Sequence, residues 1–216
     1  MGARCFAGIS LNDTTVRELT RIRDAIRADA PDWRDEKWVL PQNYHITVQF
    51  FGTLTEHDLA LLQSGIGEVV ASTEPFTLHA EKVQAVPNSR RCGMLWVQYL
   101  DEGHHFAELV AKIQQAASAF GILPDERTAV PHITLCRARH PKAIAGGVPF
   151  LGSARTENSA LMGSDRALGR PMGGQALSVS VASVTVFTSV LSPRGPKYTE
   201  IGAWPLCGKA DRAETG

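Results

Sequence analysis

Two histidines, each followed two residues later by a threonine, stand out in this 216-residue chain: His45-Ile46-Thr47-Val48 and His132-Ile133-Thr134-Leu135. Imidazole has an unperturbed pKa of about 6.5. One ring can therefore take a proton from water while a second gives one to a departing oxygen. A hydroxyl beside each ring can donate a hydrogen bond to the non-bridging oxygens of a phosphate ester. The four side chains together suit acid–base hydrolysis at phosphorus, and the scheme uses no metal. Metal ligation is the chemical rival for the histidines. The sequence carries no H-E-x-x-H, no Cys/His ligand cluster and no glycine loop ending in Gly-Lys-Ser/Thr. No metal and no cofactor is expected on that pattern.

For the four groups to converge, each motif must lie on a strand. Side chains on a strand alternate faces with period two, so His45 and Thr47 point one way and Ile46 and Val48 the other. His132 and Thr134 likewise share a face opposite Ile133 and Leu135. The elements around the motifs repeat. A strand from Phe6, a helix starting near Asp13 and the first motif form one unit. A strand from Met94, a helix carrying Phe106, Leu109, Val110, Ile113 and Ala117, and the second motif form another at nearly the same spacing. Equal units of this kind predict two similar lobes facing each other, with both His-Thr pairs on one cleft. The expected fold is α+β, two pseudo-symmetric lobes of antiparallel sheet plus helices around a central cleft.

The remaining elements follow from periodicity and punctuation. Thr15 and Glu18 fit a capping box for the first helix, with Val16, Leu19, Ile22 and Ile26 as its apolar stripe. A second helix starts near Thr55, with Asp58 three residues on. Residues 76–86 and 94–100 read as strands, and 179–191 as one strand before a turn at 192–196 and a last strand around 198–201. Residues 141–177 are rich in glycine and lack periodicity, which predicts a long loop or insertion. The domain expected is 1–207, with 208–216 as a loose tail.

Composition is that of an ordinary globular protein. Lysine plus arginine equals aspartate plus glutamate at 22 each, so the chain has no basic excess for coating nucleic acid by charge alone. The first residues lack a signal-peptide apolar stretch, and no segment is apolar enough for a membrane helix. A cytoplasmic protein with no membrane association is expected. Cys5, Cys92, Cys136 and Cys207 are scattered, and read as small buried hydrophobes rather than a disulfide framework.

The two H-x-T-x motifs resemble those of the 2H phosphoesterase superfamily, and within it the RNA 2',3'-cyclic phosphodiesterases, also called 2'-5' RNA ligase-like proteins. The stretch Trp38-Val39-Leu40-Pro41-Gln42-Asn43-Tyr44-His45-Ile46-Thr47-Val48-Gln49-Phe50-Phe51-Gly52 is similar to the first motif and its lead-in. Pro131-His132-Ile133-Thr134-Leu135-Cys136-Arg137 resembles the second, and residues 184–189 and 195–199 resemble the C-terminal strands. The resemblance implies hydrolysis of a 2',3'-cyclic phosphate on RNA ends or cyclic nucleotides to a 2'-phosphate. It further implies His132 as base, His45 as acid, and Thr47 and Thr134 as phosphate holders. Weak 2'-5' RNA joining is a property of some members. The segment 141–177 departs from the family, in which a shorter stretch carries a helix.

Arg137 matches the arginine that follows the second motif in this family, and a guanidinium can bind phosphate in bidentate fashion. Strict alternation turns it away from His132 unless the strand ends or bulges near Cys136. Arg139 has the same parity. Tyr198, Phe187 and Phe6 are aromatic candidates for base stacking. Arg90 and Arg91 lie in a turn that can receive an RNA strand. His57, His104, His105 and His140 read as surface. Two other readings remain open: an RNA- or nucleotide-binding module without turnover, and an enzyme whose main task is 2'-5' joining or another cyclic phosphodiester. No obligate protein partner is inferred.

Overall fold

A computed structural model describes residues 2–123, 129–144, 177–192 and 195–208. Strand β1 (Ala3–Ser10) leads into helix α1 (Asp13–Asp29), the two-residue strand β2 (Lys37–Trp38) and strand β3 (His45–Leu54), which opens on the first motif. Helix α2 (Glu56–Ala71), strands β4 (Phe76–Val86) and β5 (Cys92–Leu100), helix α3 (His105–Ala119) and strand β6 (His132–Lys142) follow. The second motif opens β6. Strands β7 (Ser178–Val181), β8 (Ser183–Ser192) and β9 (Gly195–Pro205) complete the described elements.

These strands build two antiparallel sheets, one ordered β3-β1-β8-β9 and the other β2-β6-β5-β4-β7. The fold is α+β, as the repeat predicts. β1–α1–β3 and β5–α3–β6 are the two equivalent units, and in each the first strand pairs antiparallel with the motif strand. The helices cross between lobes. α3, from the second unit, packs with α2 against the first sheet, where Gln114 donates to Gln49 on β3 at 2.8 Å. α1, from the first unit, reaches the second sheet, where the Thr15 hydroxyl donates to the Ser178 carbonyl.

Helix faces follow the apolar spacing. Leu19, Ile22 and Ile26 of α1, Leu62, Ile66 and Val70 of α2, and Phe106, Leu109, Val110 and Ile113 of α3 are buried. They pack against Ile46, Val48, Ile133 and Leu135, the aliphatic side of the motif strands, in one core. Thr55 caps α2 in a capping box with Asp58, as expected. α1 differs. Its cap is Asn12, whose side chain accepts from the Thr15 backbone N–H at 2.8 Å, while Thr15 lies inside the helix and is buried. Thr15 and Glu18 therefore form no capping box.

Two boundaries also differ. The second motif strand runs on to Lys142, and Ile144 beyond it is buried and donates its N–H to Ser89. The segment expected as a loop from 141 thus begins in ordered structure, and most of it lies outside the described residues, as does most of the expected tail. The single strand expected at 179–191 is two. β7 pairs with β4 in the second sheet and β8 with β1 in the first, so the chain changes sheets at Ala182. Val179 and Val181 are buried in one lobe and Val184 and Val186 in the other. Cys5, Cys92 and Cys136 are buried, but Cys207 is exposed.

Candidate active site

His45 and His132 each open their strand, and each is held from behind in the same way. The His45 Nδ1–H donates to the Asn43 carbonyl at 2.8 Å, and the His132 Nδ1–H donates to the Val130 carbonyl at 2.7 Å. A carbonyl oxygen only accepts, so the proton of each neutral ring sits on Nδ1 and the Nε2 lone pair is left for chemistry. The Thr47 hydroxyl lies 3.1 Å from His45 Nε2 and donates to it. Asn43 is fixed in turn by its side-chain N–H, which donates to the Pro196 carbonyl at 2.9 Å, at the start of β9. His45, Thr47, His132 and Thr134 all line one cleft of about 910 Å³ between the sheets.

Both motif strands carry a bulge just after the threonine. On β3 the pairing jumps from Gly8↔Thr47 to Ala7↔Gln49, and on β6 from Trp96↔Thr134 to Leu95↔Cys136. Val48 and Gln49 are buried in succession, as are Leu135 and Cys136. An extra residue of this kind reverses the alternation beyond it. Arg137 therefore returns to the face of His132, which meets the condition the sequence set for it. It lines the cleft together with Arg139, and its cation acts on His45, His132 and Tyr198. Its Nη1 rests 2.9 Å from the Met94 sulfur, a weak acceptor that a phosphate oxygen readily replaces.

The aromatic setting of the two rings differs. His132 is stacked on Trp96, with centroids 3.8 Å apart and planes at 22°. At the equivalent position beside Thr47 stands Gly8, where a Cβ would come within 3.0 Å of the Ile46 carbonyl oxygen and 3.5 Å of the His45 ring. His45 instead meets the edge of Tyr198 at 5.2 Å and the ring of Phe6 at 4.9 Å. Phe6 is 2% exposed, so it braces His45 and offers no face to a base. Phe187 stacks on Phe6 at 5.0 Å. Tyr198 is half-buried in the cleft wall, and burial raises its pKa.

Burial drives His45 down to about 4, against the opposing pull of the Asn43 carbonyl, and the charges of His132 and Arg137 lower it further. Burial also lowers His132, opposed by the Val130 carbonyl and aided by Arg137. Both rings are thus neutral at pH 7 in the free protein, poised to take up a proton when an anion enters.

Arg90 and Arg91 are exposed in a turn that does not line the cleft, with their N–H groups on the Asn88 side chain. His57, His104, His105 and His140 are exposed, as expected. Trp96 and the exposed ring of Phe50 are cleft residues that the sequence reading missed. Phe50 follows the bulge on β3 as Arg137 follows the bulge on β6, so the internal repeat was the signal for it. Among the described residues, no three His, Cys, Asp or Glu side chains are grouped to hold a metal ion. No described helix is long and apolar enough to cross a membrane.

Residues 9–96 match the family model described as LigT like phosphoesterase. The chain is 26% identical over 207 residues to the RNA 2',3'-cyclic phosphodiesterase of Methanothermobacter thermautotrophicus, covering 95% of this chain and 100% of that protein. It is also 26% identical to the RNA 2',3'-cyclic phosphodiesterase of Aeropyrum pernix, over 85% of this chain and 92% of that protein. Among solved structures, E. coli LigT complexed with 3'-AMP superposes with a TM-score of 0.70 at 20% identity, covering 95% of this chain and 99% of that one. A Thermus thermophilus protein does so with a TM-score of 0.71 at 22% identity, covering 96% and 100%. At these identities the structures speak for the fold.

Proposed function

We propose that the chain is a LigT-like phosphoesterase of the 2H family, as the match over residues 9–96 and its relatives indicate, and that it hydrolyses 2',3'-cyclic phosphate ends of RNA or nucleotides to 2'-phosphates. Residues 1–207 form the catalytic unit in this reading. One observation carries it: two imidazoles, each locked by a carbonyl on Nδ1 and each beside a threonine, face the same cleft. The names of the relatives supply the substrate class.

The direction of proton transfer is taken from the family resemblance. His132 Nε2 takes a proton from water as the water oxygen attacks phosphorus. The bond from phosphorus to the 3'-oxygen breaks, and His45 Nε2 delivers a proton to that oxygen. One water is consumed, and the products are a 2'-phosphate and a free 3'-hydroxyl. Thr47, Thr134 and Arg137 stabilise the charge that gathers on the non-bridging oxygens. Arg139 and Tyr198 border the substrate.

In either direction the pair must hold one proton, and its apparent pKa values belong to both rings. Both rings are lowered from 6.5 in the free protein, so the singly protonated form is lost as pH rises through a value below 6.5. The plot of kcat/KM against pH is therefore a bell with its maximum on the acid side of 6.5. The kcat profile lies higher, because the bound anion favours imidazolium. A kcat/KM rising to a plateau at alkaline pH would contradict the shared proton.

A further inference from the structure

The cleft runs on past the two histidines, and there it turns basic. Lys37 on β2 is the direct cross-strand partner of Arg137 on β6, so their side chains share a face. Both are exposed. Like charges placed opposite each other destabilise a sheet unless an anion lies between or over them. Arg139 follows on the same face of β6, about 6.6 Å along the strand. Arg34 is exposed just ahead of β2, and Arg27 of α1 lines the same cleft with its Nε buried and without a hydrogen-bond partner.

The nearest acid, Glu36, acts on Arg139 among this row but makes no ion pair with it. Glu36 is engaged by Lys142 at 2.6 Å and by the Arg139 backbone N–H at 2.7 Å. Among the described residues none of Arg34, Lys37, Arg137 and Arg139 is in an ion pair. Asp35 also lines this end of the cleft, as the one uncommitted carboxylate there among the described residues. A single cyclic phosphate needs only Arg137 and the threonines, so the other cations exceed what that substrate requires.

We infer that Arg34 and Lys37, with Arg27 and Arg139, form a second phosphate subsite for the internucleotide phosphate next to the cyclic end, making an oligoribonucleotide the preferred substrate over a cyclic mononucleotide. This rests on the reading given above and names the substrate class within it. Arg139 lies about 6.6 Å beyond Arg137 along β6, comparable to the spacing of successive phosphates in a single strand, and Lys37 stands across from Arg137 on β2, so a strand with its terminal phosphate at Arg137 can bring the next one among these cations.

The test compares kcat/KM for a 2',3'-cyclic mononucleotide with that for a short oligoribonucleotide bearing the same terminal nucleotide, over a salt series. Wild type should favour the oligonucleotide by about tenfold at low salt, with the advantage shrinking as salt rises. The double variant Arg34→Ala, Lys37→Ala should forfeit most of that advantage. Its salt dependence should flatten by about one power for each phosphate it no longer neutralises. Its mononucleotide turnover should stay within about twofold of wild type, which also shows that it folds. Lys37→Glu alone should move the oligonucleotide rate in the same direction. An equal rate on both substrates by wild type, or an advantage kept by the double variant, would overturn the subsite and leave the proposed reaction standing. Failure of wild type on both substrates would overturn the reaction and the subsite together.

Discussion

Replacing either histidine by alanine should lower kcat by about 10²- to 10⁴-fold, the range that a positioned general acid or base supplies. Each tenfold loss is about 1.4 kcal/mol of transition-state stabilisation. The loss should appear in kcat, because neither ring provides the bulk of binding. His45→Ala and His132→Ala together should be little worse than the slower single variant, since one partner without the other cannot complete the transfer. Circular dichroism and thermal melting of the variants separate this from misfolding. His132 stacks on Trp96 at the cleft wall and His45 packs on Phe6, so truncation leaves gaps beside rings rather than holes in the aliphatic core. The two variants can also be told apart. On an aryl phosphodiester, whose leaving group departs without a proton, the variant lacking the acid should recover much of its rate. The variant lacking the base should not. If His45→Ala is the one rescued, the direction drawn from the family holds. Rescue of His132→Ala instead would reverse it, and retention of full activity by either variant would remove that ring from the chemistry.

Arg137→Ala should cost about 10²- to 10³-fold in kcat/KM, the scale of one preorganised donor to a developing phosphoryl charge. Arg137→Lys should restore only part of this, because an ammonium cannot reproduce the planar two-pronged contact. A second effect distinguishes a phosphate ligand in the cleft from a surface cation. Arg137 lowers both His45 and His132. Removing its charge lets both imidazoles titrate at higher pH, so the kcat/KM bell should move towards neutrality even as its height falls. A rate loss with no movement of the bell would place Arg137 too far from the histidine pair for the role assigned to it.

The convergence of the two His-Thr pairs on one cleft was legible in the sequence because it follows the simplest rule of strand geometry. His-x-Thr on a strand puts the ring and the hydroxyl on one face, and the structure keeps Ile46, Val48, Ile133 and Leu135 on the other. The two-unit organisation was legible for the same reason. The bulges were harder to see. On β6 the adjacent buried residues Leu135 and Cys136 are both apolar, and that run is a hint that alternation breaks. On β3 the buried pair includes Gln49, whose amide reads as exposed until Gln114 from α3 is found beside it. Trp96 lies between Leu95 and Val97, so strict alternation assigns it to the polar face without saying that the His132 ring covers it. The change of sheet at Ala182 left a trace that was passed over. The buried valines fall at odd positions up to Val181 and at even positions from Val184, a phase shift within what reads as one strand. The Lys37–Arg137 pairing had no local signal, because β2 is two residues long and finds β6 only in the folded chain.

In the proposed reaction, paired imidazoles add water across a 2',3'-cyclic phosphate. The most direct test incubates wild-type protein with an RNA oligonucleotide ending in that group, in water labelled with heavy oxygen and with a strong chelator present. The product end is then identified by mass spectrometry and by its response to phosphatase. The expected product is a 2'-phosphate carrying one labelled oxygen, formed at a rate the chelator leaves unchanged. A 3'-phosphate product, or a rate abolished by the chelator and restored by added metal, would contradict it.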